Sequence, residues 1–261
     1  MLEGRLMLTR RRTALGGLLT IVFGYVHSPR CLAHHGGDHY QGCFITAPQA
    51  RKLVGSSEVQ SFNLGTEPIR RSGNRDFDRA LAHTLAKLAN TFGVLPGFAY
   101  YDDGYDHNAF ATPAQLLERT DGTVMFGLGM LQRLMSGTDH PELSVAAVCA
   151  HEFGHIYQYK LGLIDLVNSG AATVKRSELQ ADYFAGYFAG LRKREKPDFP
   201  AAVFAQTQHN FGDNMIDHPS HHGTPEERAA AIVAGFHFAM NGKSLDQAKD
   251  ESTRYVMNLP I

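Results

Sequence analysis

The sequence predicts an α+β fold that is mostly helical and contains one small sheet. Segments with a strand-like pattern fall between residues 98 and 128, whereas most of the remaining pattern from residue 76 onward has helical periodicity. The chain has 261 residues, of which 43% are hydrophobic and 20% charged, as is usual for a globular protein. Neither an internal repeat nor a second domain boundary interrupts residues 73–261, which we treat as one domain.

The first clear helix is predicted over residues 76–92, and Gly93 and Pro96 end its pattern. Its apolar residues recur at helical spacing and form one face: Phe77, Leu81, Leu85, Leu88 and Phe92. Three short strands are predicted next, at 98–101, 108–111 and 123–128. Further helices are predicted over 131–135, 141–162, 177–193, 200–211, 225–240 and 244–257. Ser244 is a suitable N-cap for the last of them.

Residues 1–33 have the pattern of an export signal. Arg5 and the arginines at positions 10–12 form a basic region, and the uncharged run 14–26 is shorter than the about 20 residues that span a membrane. Small residues at Cys31 and Ala33 suit cleavage by a signal peptidase. This predicts a periplasmic or secreted protein with a partly flexible extension at 34–72. The alternative is an uncleaved anchor in the inner membrane.

Charge, hydrophobic runs and cysteine content give further indications about partners, membrane insertion and disulfide bonds. The formal net charge of −1 gives no indication of a nucleic-acid partner. No run beyond 14–26 predicts a membrane-spanning segment. Cys43 and Cys149 would remain after cleavage. Either they pair in an oxidising compartment, or Cys149 is a small buried residue on an apolar helix face.

The most informative segment is His151-Glu152-Phe153-Gly154-His155, in the predicted helix 141–162. Residues four apart lie on one face of a helix, so His151 and His155 can bind the same metal ion. Imidazole nitrogens suit zinc, and Glu152 would lie beside the metal, where it can take a proton from a bound water. The segment predicts one zinc ion per chain.

A third protein ligand is needed, because two histidines and a water leave tetrahedral zinc one protein ligand short. The next helix places Glu178 and Asp182 four residues apart on one face of a mostly apolar stretch. Glu178 is therefore the candidate third ligand. Asp182 is expected to accept a hydrogen bond from the second ring nitrogen of His151 or His155, which would fix the tautomer of that histidine.

Together these segments resemble the gluzincins. HEFGH followed by SELQADYFAGYFAG is similar to the bacterial neutral zinc metallopeptidase family and, more distantly, to the heat-shock and prenyl-protein proteases. The third ligand of that family matches Glu178 and its aspartate matches Asp182, and Gln158 agrees with an HExxHxxQ pattern. The resemblance covers roughly residues 75–235 and implies a zincin-like metallopeptidase domain. The heat-shock and prenyl-protein relatives have several transmembrane helices. This sequence predicts none beyond the N-terminal segment, which makes a membrane-embedded substrate doubtful here.

Two further segments carry the resemblance. Residues 108–111 (NAFA) are similar to a stretch that precedes an edge strand in the family, where an extended substrate pairs with the sheet. By that resemblance residues 123–128 would be the edge strand here. Residues 222–228 (HGTPEER) resemble the family's His–Arg segment, which implies that His222 stabilises an oxyanion and that Arg228 braces the site. Three neighbouring histidines leave open which one faces the zinc: His218, His221 or His222.

The resemblance implies a zinc endopeptidase that hydrolyses peptide bonds of a protein or peptide substrate, with Glu152 as general base. Candidates for substrate contact are Asn108, Ala109, Phe110, Met125 and Phe126, and core packing is the alternative role for the last three. Two other functions stay open. One is a non-catalytic zinc- or peptide-binding protein, and the other is a zinc amidase that acts on a non-protein substrate.

Overall fold

The computed structural model describes residues 71–104, 107–137 and 139–259. Within these ranges the chain forms, in order, α1 (Arg75–Phe92), β1 (Gly97–Tyr101), β2 (Ala109–Thr112), β3 (Thr123–Gly127), α2 (Leu128–Met135), α3 (Pro141–Leu161), α4 (Leu163–Val167), α5 (Lys175–Glu195), α6 (Ala202–His209), α7 (Pro225–Met240) and α8 (Leu245–Met257). The predicted α+β class, mostly helical with a small sheet, is confirmed.

Three of the sequence-based predictions concern residues outside the described ranges: the export signal at 1–33, most of the extension at 34–72, and the pairing partner Cys43. Cys149 itself is a buried free thiol on α3. Among the helices of the described ranges, none combines the length and the apolar character that crossing a membrane requires.

The helix boundaries follow from local capping chemistry. Asn74 accepts two backbone N–H hydrogen bonds in the first turn of α1, and Gly93, with a φ of 60°, ends this helix. Thr224 and Ser244 each form a capping box, at the start of α7 and of α8. The predicted N-cap at Ser244 is therefore confirmed.

The three described strands form a sheet in the order β1-β3-β2. β3 pairs in parallel with β1 and antiparallel with β2, so it is the central strand. The expectation that residues 123–128 form an edge strand is wrong. Every residue of β3 is buried, and a strand covered on both faces lacks the polar alternation that marks a more exposed position. Among the described strands, the edge that packs against α3 is β2.

Helix α3 is central to the domain. It contacts β2 and β3 of the sheet and also packs against α1, α2, α5 and α6. All residues from 145 to 158 are buried, so this part of the helix has no polar face of the kind that surface helices show. The HExxH motif therefore lies inside the core, on the helix that joins the sheet to the C-terminal helices.

Glycines set the distance between the helices around this core. A Cβ at Gly154 would lie 3.0 Å from the carbonyl oxygen of Ala181, which shows how closely α3 approaches α5. Between α5 and α7, a Cβ at Gly235 would collide with the carbonyl oxygen of Tyr183, and one at Gly186 with that of Ile232. This packing brings α3, α5 and α7 close enough for their polar side chains to meet.

We expect Gly235→Ala to destabilise the domain, because the added methyl group would collide with the backbone of α5. Overpacking of this kind costs about 1–3 kcal/mol. Val233→Ala is the control, since Val233 is 44% exposed two residues earlier on the same helix. Its effect should stay within about 0.5 kcal/mol. Urea denaturation measures both free energies of unfolding, and a Gly235→Ala protein as stable as wild type would contradict the close contact.

Candidate metal centre

Two histidines of α3 lie side by side in the core. The Nε2 atoms of His151 and His155 are 3.0 Å apart, and neither residue is more than 1% exposed. Their rings are one helical turn apart and nearly perpendicular, at an angle of 88°. The two imidazoles therefore face one point, as their spacing in the sequence predicts.

Helix α5 adds a carboxylate to this pair. The oxygens of Glu178 lie 3.3 Å from Nε2 of His151 and 3.5 Å from Nε2 of His155. One ligand atom from each of the three residues can be chosen so that all lie within 4.8 Å of one another. Ligand atoms about 2.0–2.1 Å from a tetrahedral zinc ion are about 3.3 Å apart. The observed separations match this value, so the three residues can hold a metal ion.

The electrostatics of Glu178 also fit a cation. Both carboxylate oxygens are buried and, within the described part of the chain, accept no hydrogen bond. Burial alone raises the pKa of this carboxyl. The charges of His155 and His222 and the contacts with both α3 imidazoles outweigh burial and lower the pKa well below its usual value. Because a buried carboxylate is costly unless a cation or donors balance it, a metal ion is a suitable partner here.

Asp182 and Arg228 orient His151 from the far side of its ring. Asp182 Oδ1 lies 2.7 Å from Nδ1 of His151. Arg228 donates to both oxygens of Asp182, from Nε at 2.7 Å and from Nη2 at 3.0 Å. Burial raises the pKa of Asp182, but Arg228 and His151 lower it below its usual value, so the carboxyl is ionised. The carboxylate accepts a hydrogen bond from Nδ1–H and thereby directs the Nε2 lone pair of His151 towards the candidate metal position.

A neutral side chain forms a hydrogen bond with the second histidine, His155. Gln158 Oε1 lies 2.7 Å from Nδ1 of His155. Burial lowers the pKa of His155, which favours the neutral imidazole that a metal requires. Of the two histidines that the sequence left open as the partner of Asp182, the structure assigns His151 to Asp182 and His155 to Gln158.

Glu152 lies beside the metal ligands and is 1% exposed. Within the described ranges its two oxygens accept no hydrogen bond. Burial raises its pKa well above the usual value; the charge of His151 opposes this rise, and Glu178 adds to it. A carboxyl with a raised pKa is suited to take up a proton and to give it away again.

The loop between α6 and α7 brings His222 near Glu178, whose pKa is lowered by the charge of this histidine. Asp213 holds His222 in place. One of its oxygens accepts the backbone N–H of His222 at 3.0 Å and lies 3.3 Å from Nδ1. Burial raises the pKa of Asp213, but hydrogen bonds from His222 and His221 lower it far below its usual value, so it acts as an anion.

Of the two other histidines of this loop, His221 shares Asp213 with His222, whereas His218 has a different partner. Nδ1 of His221 lies 2.5 Å from the second oxygen of Asp213, and its Nε2 is 4.0 Å from Glu227. His218 accepts the backbone N–H of Ser220 through Nδ1. Of the three histidines that the sequence left open, His222 is the one whose charge acts on the ligand Glu178.

The candidates for substrate contact lie in or next to the sheet. Ala109 and Phe126 belong to the main apolar core. Phe110 and Met125 are partners across β2 and β3, and both are buried. Asn108 is half-buried, and its side chain accepts the backbone N–H of Ala109. In this conformation the four apolar residues present almost no exposed surface, and their part in substrate binding stays a prediction.

Two residues of the site had little signal in the sequence. Asp213 lies in an irregular loop, and its distance of nine residues from His222 follows no helical or strand spacing. Gln158 was notable only through the resemblance, because a glutamine in a buried helix can serve many partners. In both cases the role of the residue depends on which histidine the tertiary structure places within hydrogen-bond distance of it.

We expect Asp182→Asn to destabilise the metal-free protein by about 3–5 kcal/mol at pH 7, because the buried Arg228 loses the carboxylate that balances its charge. The pKa of Asp182 is lowered in the folded state. Its contribution is thus present above the unfolded pKa of about 3.9 and is lost as the pH falls through the folded value. The difference between variant and wild type should therefore shrink below about pH 4.

Chemical denaturation with a chelator present measures this difference at several pH values. Asp198→Asn is the control, because that side chain is 77% exposed and its ion pair with Lys196 is long, at 3.9 Å. If the Asp182→Asn protein were as stable at pH 7 as the control, the Asp182–Arg228 pair would not support the site.

Comparisons with known proteins find no relative of this chain: no protein-family model, no curated protein and no solved structure matches it. The resemblance to the gluzincins therefore depends on the motif segments themselves, and the interpretation of the site depends on its geometry. That geometry consists of a buried His-His-Glu group able to hold a metal ion, with the carboxyl of Glu152 beside it and a further histidine, His222, near enough for its charge to lower the pKa of Glu178.

Proposed function

We propose that the protein is a zinc-dependent endopeptidase with a zincin-like domain of the gluzincin type. The observation that carries the proposal is the His151, His155 and Glu178 group, whose ligand atoms lie within 4.8 Å of one another. Its donors suit zinc, and the buried Glu152 is adjacent in sequence to a ligand. A metal site combined with a general base is what metal-assisted hydrolysis of an amide requires.

In the proposed mechanism His151, His155 and Glu178 would hold a zinc ion, which would supply a polarised scissile carbonyl and a water whose pKa is lowered from about 15.7 to about 7. Glu152 takes the proton from this water and passes it to the leaving amine, a transfer that its raised pKa favours. His222, held by Asp213, donates a hydrogen bond to the carbonyl oxygen as negative charge develops there. Asp182 and Gln158 keep the two imidazoles in the ligand orientation.

The substrate is proposed to be a protein or peptide in extended conformation. The edge of β2 that has no strand partner among the described residues, next to α3, is the place where such a chain would pair with the sheet. Because the ligands and Glu152 are at most 1% exposed, a substrate reaches them only after the residues that cover them move aside. The export pattern of residues 1–33 supports a periplasmic or secreted enzyme, with an N-terminal anchor in the inner membrane as the alternative.

Glu152→Gln tests the mechanism directly. The variant should bind zinc as wild type does but hydrolyse casein about 10²–10⁴-fold more slowly, because the amide cannot take up the proton. Glu142→Gln is the control, since Glu142 lies in the first turn of the same helix with its side chain 56% exposed. Rates are compared at equal zinc content.

The outcomes separate the functions that the sequence left open. Cleavage by Glu152→Gln at the wild-type rate would contradict the role of Glu152. If the wild type binds zinc but cleaves neither casein nor unstructured peptides, the endopeptidase proposal fails. A zinc-binding protein without protease activity, or an amidase with a non-protein substrate, would then take its place.

We expect His222→Phe to lower kcat by about 10²–10³-fold with zinc binding retained, because the donor to the developing oxyanion is lost. His218→Phe removes a histidine from the same loop and should leave kcat close to wild type. Steady-state kinetics on a fluorogenic peptide measure both variants. Equal rates for the two would show that His222 has no part in the reaction.

A further inference from the structure

We infer that Gln158 and Gln180 are positioning residues that connect the metal ligand His155 to the C-terminal helix α8 through a hydrogen-bond chain of one fixed direction. The inference rests on the proposed function in one respect, since His155 is a proposed zinc ligand. Its consequence is that tight metal binding depends on α8, which contributes no ligand.

The first link is the orientation of the Gln158 amide. Its Nε2 donates to the carbonyl oxygen of Ser177 and to Oε1 of Gln180, at 2.9 Å in each case. A backbone carbonyl can only accept, so the NH₂ group must face Ser177. The amide oxygen must then face His155, where it accepts a hydrogen bond from Nδ1–H, with Oε1 and Nδ1 2.7 Å apart. Both donors of the NH₂ group are used, so the amide has no equivalent flipped position.

The second link runs from Gln180 to α8. Because Oε1 of Gln180 accepts from Gln158, its NH₂ group faces α8 and donates to Ser252 Oγ at 3.2 Å and to Thr253 Oγ1 at 3.0 Å. Both hydroxyls donate their own hydrogen bonds to the carbonyl oxygen of Lys249, at 2.9 Å in each case. Every donor therefore points away from the metal position.

Burial makes this chain effective. Gln158, Gln180 and Ser252 are 0% exposed, so water does not compete for their hydrogen bonds. Aligned bonds in a low-dielectric interior polarise one another and strengthen each other's dipoles. A more strongly held Nδ1 proton makes the opposite nitrogen of His155 a better metal ligand and keeps its ring in one orientation.

Zinc affinity of the folded protein tests the chain, measured by competition with a chromophoric chelator. Gln158→Met removes the acceptor for His155 with little change in shape and should weaken zinc binding about 10–100-fold. Gln180→Met should cause a smaller loss. The double variant should bind zinc no more weakly than Gln158→Met alone, because the chain is already interrupted. Gln208→Met is the control: Gln208 is 2% exposed on α6, and its affinity should equal wild type.

A second readout separates positioning from general structural support. In ¹H–¹⁵N spectra the Nδ1–H of His155 should exchange slowly in wild type and in the control, and rapidly in Gln158→Met. If Gln158→Met does not fold, the same two measurements on Gln180→Met test the inference. Zinc binding should then be weakened by less than is expected for Gln158→Met, and the Nδ1–H of His155 should exchange faster than in wild type. Wild-type affinity in the single variants, or losses that add in full in the double variant, would overturn the inference.

The result is independent of peptide hydrolysis, because no substrate is used. If the wild type binds zinc but does not cleave peptides, the proposed function is refuted, and the zinc-affinity test of the hydrogen-bond chain still applies. A wild type that binds no zinc removes the proposed metal site. The exchange of the His155 Nδ1–H in the metal-free protein then still shows whether Gln158 holds it, and rapid exchange in wild type would overturn the inference.

Discussion

The close approach of α3 and α5 is the constraint on which the site depends. Gly154, inside the HExxH motif, leaves room for the backbone of α5 at Ala181. Glu178, one turn earlier on α5, thereby comes within 3.5 Å of both histidines. A Cβ at 154 would lie 3.0 Å from the carbonyl oxygen of Ala181, so the helices would have to shift by a few tenths of an ångström to make room for it. The motif thus contains two candidate ligands, the proposed base and the glycine that permits the approach of the third candidate ligand.

The two histidines of the candidate metal site are supported in different ways, and the difference follows from charge. His151 is held by an ionised aspartate that Arg228 balances, whereas His155 is held by the neutral amide of Gln158. A second carboxylate at 158 would add a further negative charge to a buried cluster that already contains three carboxyls. An amide supplies the acceptor without that charge, and its two N–H donors connect the site to α5.

Much of the fold followed from local patterns, and the exception has a physical reason. Apolar spacing and capping residues such as Asn74 and Ser244 mark helix positions, because caps and faces are properties of neighbouring residues. The order of the strands is not such a property. β3 is buried on both faces and was expected at the edge, but it lies in the centre with partners on both sides. Which strands pair depends on contacts between residues that are distant in the sequence, and a local pattern does not contain these.

For the site, the sequence by itself determined the candidate ligands: two histidines one turn apart, and a Glu178–Asp182 pair on the next long helix. Such spacings persist because helix geometry is the same wherever the helix lies. Only the tertiary structure decided that Asp182 contacts His151, that Gln158 contacts His155, and that His222, one of two histidines held by Asp213, lies near Glu178. These pairings join residues from different elements, so they depend on how closely the helices pack and not on the order of residues in any one of them.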